Sequence, residues 1–186
     1  TTTLYAMLNF LKDLTKKIIT IEDPVEYHLT GITQTQTNDQ KGYTFGEGLR
    51  SAMRQDPDVV MVGEIRDKET AEIAVQASLT GHIVFSTLHT NNSAGVIPRL
   101  IDLGVNPKIM VSALSLSIAQ RLARKLCQFC KKESEPSAEE MKTIQVVLDS
   151  IKTEGQDISK YNIKPEGPFK VFSQVGCDKC NKIAYS

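Results

Sequence analysis

The sequence predicts an α/β protein built on a parallel-type sheet, with a small cysteine-rich appendage. Short apolar runs alternate with runs of helical period, as right-handed crossovers in a parallel sheet require. Three of the strand-like runs end in acidic residues or a histidine, and open parallel sheets bind ligands at the carboxyl ends of their strands. Two Cys-x-x-Cys pairs, Cys127/Cys130 and Cys177/Cys180, lie toward the end of the chain, where apolar periodicity weakens.

Residues 1–14 are expected to be helical, because Leu4, Met7, Leu8 and Leu11 recur at helical spacing. Residues 17–21 form an isoleucine-rich strand that runs into Glu22-Asp23-Pro24. Pro24 halts it, since proline has no N–H for a central ladder. The polar, threonine-rich residues 26–44 suggest short strands or a hairpin. A helix over 45–55 carries its apolar stripe on Leu49, Ala52 and Met53, with Arg50 and Arg54 on another face. Asp56-Pro57-Asp58 ends it. Residues 59–62 are continuously apolar, as suits a parallel strand covered on both sides, and exit at Gly63-Glu64.

A helix over 67–79 turns Ala71, Ala74 and Val75 inward, and Thr80-Gly81 breaks it. The third strand spans 83–88 and ends at His89. A helix is expected near Ser93, a residue suited to the N-cap. A turn at 104–107 precedes an apolar helix to about residue 119. Beyond Leu126 lysine and glutamate become frequent. Ser137 and Glu140 form a capping-box pattern that opens a helix to about Lys152. A stretch containing glycine and proline, 155–168, leads to the second cysteine pair. The expected organisation is therefore a core over 1–126 and a metal-binding module over 127–186.

Composition narrows the function classes. The 186 residues suit one ordinary domain plus a small addition, and 40% apolar content is enough for a real core. The 22 basic and 22 acidic residues cancel, so nothing global draws the chain to nucleic acid or acidic lipid. The absence of tryptophan argues against a stacking surface for single-stranded nucleic acid. No apolar run is long enough to span a bilayer.

With all strand ends pointing one way, Glu22, Asp23, Glu64 and His89 are expected along one edge of the sheet. The amino end of the first helix belongs at the same edge, with its free N–H groups and positive dipole end. Thr1-Thr2-Thr3 reads as the start of the helix that follows a phosphate-binding loop, with the loop itself cut away. Carboxylates beside such a helix end suit a magnesium–nucleotide complex. Glu64, after four apolar residues and a glycine, matches the acid that contacts metal-bound water or polarises the attacking water in nucleotide hydrolases. An exposed strand-end carboxylate is the alternative.

His82 and His89 do not suit one shared metal ion. In an extended strand they stand about 23 Å apart on opposite faces. His89 is placed at the nucleotide edge and His82 at the strand's other end, where a hydrogen-bonded structural role competes with ligand contact. His28 is read as a surface residue. Arg50, Arg54 and Arg66 are open to either phosphate or interface contacts, or to salt bridges such as Arg66 with Glu64 or Asp67.

The spacing within each cysteine pair suits tetrahedral zinc. Four thiolates with no spare histidine describe a closed, structural Zn2+ site, and the helix from Ser137 fills the gap between the pairs. Free or disulfide-bonded cysteines are the alternative, the latter disfavoured in the cytosol. Arg121, Arg124, Lys125, Lys131 and Lys132 flank the first pair, as a solvated face or as a docking surface for an acidic partner.

Together these runs resemble the secretion ATPase superfamily, the hexameric motors of type II secretion and type IV pilus assembly, over about residues 1–130. "TTTLYAML" looks like the tail of the Walker A helix, which implies that Thr1 binds magnesium, with Thr2 beside it at the nucleotide. "TIEDPVEY" resembles the Asp box, with Glu22, Asp23 and Glu26. "LRSAMRQDPDVVMVGEIRD" resembles the Walker B region, with Glu64 catalytic and Arg66 a candidate for phosphate contact. "LTGHIVFSTLHTNN" resembles the His box, with His82 and His89 and a γ-phosphate sensing role.

The resemblance implies a RecA-like P-loop NTPase core, ATP and Mg2+ as ligands, and a homo-hexamer. It also implies a partner in the inner-membrane platform of the machine and a cytoplasmic motor peripherally associated with that membrane. No nucleic-acid partner is expected. The assembly and secretion motors carry a tetracysteine segment at this place, whereas the retraction branch generally lacks it. Because the Gly-rich loop and its lysine are absent from the sequence, the chain by itself is expected to bind ATP poorly and to be inactive alone. The end at Ser186 is likewise expected to be short of the family's own. A conjugation-type secretion ATPase and a non-catalytic zinc-binding scaffold module remain as alternatives. The tetracysteine segment speaks against the first.

Overall fold

The computed structural model describes residues 2–155 and 167–185. Thr1 and nearly all of the 155–168 stretch lie outside the described residues. The chain divides into two compact units, Thr1–Gln120 and Arg121–Ser186.

The first unit is built on a four-stranded parallel sheet in the order β2-β1-β3-β4. Its strands are β1 (Ile18–Glu22), β2 (Thr33–Gln36), β3 (Val59–Val62) and β4 (Ile83–Ser86). Ile18 pairs with Val59, and Val59 with Ile83, so β1, β3 and β4 start level with one another. Both faces of β1 and β3 are covered, and every residue of either strand is buried. On one face α1 (Thr2–Leu11) lays Tyr5 and Leu8 over Ile18, Val59 and Met61. On the other, Ile19, Ile21, Val60 and Val62 meet Phe45, Leu49 and Ala52 of α2 (Phe45–Met53) and Ala71, Ala74 and Val75 of α3 (Lys68–Leu79). Leu100 of α4 (Val96–Asp102) and Met110 of α5 (Pro107–Ala113) complete that layer.

Local chemistry sets the boundaries. Thr44 caps α2 by accepting from the Glu47 N–H, and Asp67 caps α3 by accepting from the Thr70 N–H. Helix α2 approaches β1 so closely that a Cβ on Gly48 would sit 2.8 Å from Ile21 Cγ2.

Several elements differ from expectation. Helix α1 stops at Leu11 rather than residue 14, because Asp13 accepts from the Thr15 N–H and takes the backbone into a turn. Of the two forms expected over 26–44, a short strand is present and a hairpin pair of strands is not. These residues supply β2, which pairs parallel with β1 at the sheet edge. Only an isolated antiparallel bridge, Asn38 with Tyr43, is hairpin-like, around a 3₁₀ turn at Asp39–Lys41. Ser93 is not a helix cap. Helix α4 begins three residues later behind Gly95, without a side-chain cap, and the Ser93 carbonyl accepts from both the Val96 N–H and Ser117 Oγ. Helix α5 ends at Ala113, and residues 114–119 have no regular structure.

The second unit holds an antiparallel pair, β5 (Lys132–Ser134) with β6 (Val171–Ser173), and one long helix, α6 (Ala138–Thr153). The capping box is reciprocal: Ser137 Oγ accepts from the Glu140 N–H, and the Glu140 carboxylate accepts from the Ser137 N–H. Among the described residues no helix is long and apolar enough to cross a membrane.

Candidate functional site

Because the sheet is parallel, β1, β3 and β4 deliver their carboxyl ends to one rim. Backbone contacts fix the segments beyond them. The Gly63 N–H donates to the Ile21 carbonyl at 2.8 Å, and the Ile65 N–H donates to the Thr87 carbonyl at 3.0 Å. Thr87 Oγ1 donates to the Gly63 carbonyl at 2.7 Å. The loop after β3 is thus tied to the exits on both sides.

Glu64 sits at the centre of this rim with its side chain only 15% exposed. One carboxylate oxygen lies 2.8 Å from His89 Nε2, and the other accepts from Arg66. Arg66 also lies 3.9 Å from the Asp23 carboxylate, and its guanidinium stands 5.7 Å above the Phe45 ring. The hydrogen bond from Arg66 holds the Glu64 carboxyl below the usual glutamate range, with that from His89 adding to it against the opposing effect of burial. Glu64 in turn raises Arg66 further. The exits of three strands therefore supply a chain of linked polar groups, His89–Glu64–Arg66–Asp23, around a carboxylate kept ionised. Such a carboxylate is suited to orient water or metal-bound water.

Other candidate residues are placed differently. Glu22 ends β1 at the rim, yet it is buried, 2% exposed, with its carboxylate turned beneath the edge toward α1. There it accepts from the Tyr5 hydroxyl, from Thr20 Oγ1 and, at 3.0 Å, from the Gln34 amide. Asp23 and Glu26 are exposed on the loop that follows. Thr2 opens α1 as an exposed residue, and Thr1 is outside the described residues. His82 precedes β4 at the opposite end of the sheet, with Nδ1 3.0 Å from the Ala77 carbonyl that ends α3. Arg50 is paired with Glu69 and Glu47 on the helical layer. Of the charged residues singled out, the structure joins Asp23, Glu64, Arg66 and His89, and leaves Glu22 and His82 out of that chain.

Tyr5 and Gln34 went unnoticed in the sequence. Their signal is faint: Tyr5 occupies a core position in α1, and a buried phenol needs a partner for its hydroxyl.

In the second unit Cys127, Cys130, Cys177 and Cys180 are free thiols whose sulfur atoms all lie within 4.8 Å of one another. Cys180 Sγ is 3.8 Å from both Cys130 Sγ and Cys177 Sγ. Four sulfurs at metal bonds of about 2.3 Å in a tetrahedron stand about 3.8 Å apart, so the donor set fits a tetrahedral metal ion. Each pair sits on a tight turn, with the Lys131 N–H donating to the Cys127 carbonyl and the Lys182 N–H to the Cys177 carbonyl. The Cys177 N–H, donating to Cys180 Sγ, helps to bring that thiol down to about 7. Burial pushes the Cys130 thiol up to about 12. Around the cluster, Arg124 lies over the Tyr185 ring, Lys131 over Phe172 and Lys179 over Phe129. Part of the flanking positive charge is thus held on aromatic faces.

The family model described as "Type II/IV secretion system protein" matches residues 1–186. The chain belongs to this family. It is 49% identical over 185 residues to "Type II secretion system protein E" of Pseudomonas aeruginosa, covering 100% of this chain and 34% of that protein. It is 46% identical over 187 residues to "Type IV pilus assembly ATPase PilB" of Myxococcus xanthus, covering 100% of this chain and 30% of that one. Among solved structures, "Pilus Retraction Motor PilT and Bound ADP" superposes with a TM-score of 0.50 at 40% identity, over 60% of this chain and 34% of that one. The chain spans about a third of the length of the curated relatives it matches. Their similarity runs through the cysteine segment as well as the sheet.

Proposed function

We propose that this chain belongs to an ATP-hydrolysing motor subunit that powers type II secretion or type IV pilus assembly. The observation that carries the reading is the ionised Glu64 held between His89 and Arg66 at the carboxyl rim of a parallel sheet. Whole-chain similarity to a secretion protein E and a pilus assembly ATPase supports it. In the reaction water attacks the γ-phosphorus of ATP, the bond from that phosphorus to the β–γ bridging oxygen breaks, and ADP and inorganic phosphate are released.

Glu64 accepts a hydrogen bond from the attacking water and orients it, while Arg66 fixes the carboxylate and keeps it charged. His89, 84% exposed, faces solvent from the far side of Glu64 and is free to meet the transferring phosphoryl group. Asp23, on the other side of Arg66, is the exposed carboxylate nearest this chain and the one suited to a hydrated metal. When bound, Mg2+ neutralises the charge that develops on the phosphate oxygens. Thr1 and Thr2 belong to the phosphate side of the site. His82 would meet nucleotide only from another subunit, since in its own chain it is at the opposite end of β4.

The cysteine cluster is proposed to hold one structural Zn2+, supported by its sulfur spacing and its lack of an open ligand position. A homo-hexameric ring, an inner-membrane platform protein as partner, and a cytoplasmic, membrane-peripheral location complete the proposal.

The test is Glu64→Gln in the full-length protein. Loss of ATP turnover with nucleotide binding retained is expected, and undiminished turnover would remove the role assigned to Glu64. Zinc content without any ATP turnover in the wild type would favour the scaffold alternative.

A further inference from the structure

We infer that Tyr5 is a positioning residue of the hydrolytic site, whose hydroxyl clamps the acidic loop after β1 to the first turns of α1. The inference rests on the ATPase reading and deepens it.

Tyr5 is buried, but its hydroxyl lies among polar groups from three other segments. It donates to Glu22 Oε2 at the end of β1. It accepts from the Glu26 N–H at 3.3 Å and lies 3.4 Å from the Gln34 side-chain amide on β2. A phenol oxygen offers one donor and two acceptor positions, so all three are engaged here. The Tyr27 ring closes the other side, edge-on at 4.6 Å between centroids. Burial and the contact with Glu22 push the Tyr5 hydroxyl up to about 12, which keeps its proton in place at working pH.

The consequence falls on Glu22 and Asp23, which are neighbours with opposite surroundings. Glu22 spends its carboxylate on Tyr5, Thr20 and Gln34 inside the protein. Asp23 stands outside, 3.9 Å from Arg66 and thus one link from Glu64. Glu22 is therefore an anchor and Asp23 the residue displayed. Helix α1 carries Tyr5 one turn from the end where the phosphates are proposed to bind. Its hydroxyl sets how far Asp23 and Arg66 stand from that end. Small misplacements of such groups weigh on the chemical step more than on ground-state binding.

The experiment uses the full-length protein in its assembled form. Tyr5→Phe removes one oxygen and keeps the ring packing. It should lower kcat for ATP about tenfold and leave KM within about twofold, with a lower melting temperature because the buried Glu22 carboxylate loses one of its donors. Glu22→Gln should lose at least as much, because it also disturbs the contacts with Thr20 and Gln34, and the double variant should be no slower than the slower single one by more than about twofold, because the Tyr5–Glu22 bond is common to both. Three results would overturn the inference. One is Tyr5→Phe turnover within about twofold of wild type. The second is losses that multiply in the double variant. The third is a raised KM with kcat unchanged, the mark of lost ground-state binding rather than of a misplaced hydrolytic group. Glu64→Gln measured alongside separates the two levels. If it is inactive while the wild type turns over, the hydrolytic reading holds and the Tyr5 result is judged by itself. A wild type without turnover overturns both.

Discussion

His89 Nε2 lies 2.8 Å from the Glu64 carboxylate although 25 residues separate them in sequence. The contact exists because β3 and β4 are parallel neighbours in register, Val62 beside Ser86, so the residues just beyond them leave the sheet together. Glu64 is sheltered and His89 is not. The pair therefore places a fixed acid under a solvent-facing imidazole.

That asymmetry predicts different outcomes for the two residues. His89→Ala removes an exposed side chain, so the fold should hold to within about 0.5 kcal/mol. ATP turnover of the full-length protein should fall roughly 10²-fold if His89 acts on the phosphoryl group. Thermal melting beside steady-state kinetics checks both parts, and unchanged turnover would leave His89 as a partner of Glu64 alone.

The lowered carboxyl of Glu64 makes a pH prediction. A group whose folded pKa lies below its unfolded value, about 4.3 for glutamate, adds stability above that value. The contribution disappears as pH falls through the folded pKa. Arg66→Leu removes the main cause of the lowering. The wild type should exceed the variant in stability near pH 6, and the gap should close as pH drops below about 4. Because Arg66 is half exposed, the gap should stay within about 1 kcal/mol. Urea denaturation at a series of pH values measures it. A gap that widens in acid would contradict the assignment.

The sequence carried the inner strands more clearly than the outer ones. Val59–Val62 and Ile18–Ile21 are apolar because helices cover both of their faces. Glu64 leaves the first of them, and its shared edge with His89 follows once the apolar run at Ile83–Ser86 is read as a parallel neighbour. Strand β2, Thr-Gln-Thr-Gln, gave no such signal, because an edge strand needs only one paired side and its side chains stay partly wet. Glu22 looked like a rim residue from its position, and nothing local showed that Tyr5 and Gln34 would take its carboxylate inward. Those partners lie 17 and 12 residues away and depend on how α1 and β2 pack. Ser93 had the right chemistry for a cap, but the Asn92 side chain accepts from the Gly95 N–H and holds a turn there, so that α4 starts only behind Gly95.

Gly48 offers a test of the packing between α2 and β1. Its φ is not in the left-handed region, so backbone strain is not the issue. An added methyl would stand 2.8 Å from Ile21 Cγ2 and 3.1 Å from the Tyr43 hydroxyl. Gly48→Ala gains helix propensity of about 0.8–1.0 kcal/mol, yet overpacking a buried contact costs about 1–3 kcal/mol. Net destabilisation is expected, with a lower melting temperature. A more stable variant would mean that α2 can lift from the sheet without penalty.

The cysteine unit should depend on metal for its fold. Its described strands are three residues long, and the cysteine sulfurs are the shared contact of two turns far apart in sequence. Four thiols must lose their protons to ligate, so metal uptake should release protons and weaken in acid. Expected content is one zinc ion per chain, measured by metal analysis of the full-length protein. Cys127→Ser removes a buried ligand from one turn, and Cys177→Ser removes one from the other. Either should lower metal affinity steeply and expose the unit to proteolysis, with a loss on the order of 10 kcal/mol of metal-linked folding energy at full metal release. Chelation of the wild type should reproduce the proteolytic pattern, cutting beyond Gln120 while the sheet unit stays protected. A chelated protein that resists proteolysis as well as the untreated one would show that apolar packing holds this unit, and that the sulfur cluster adds little to its stability.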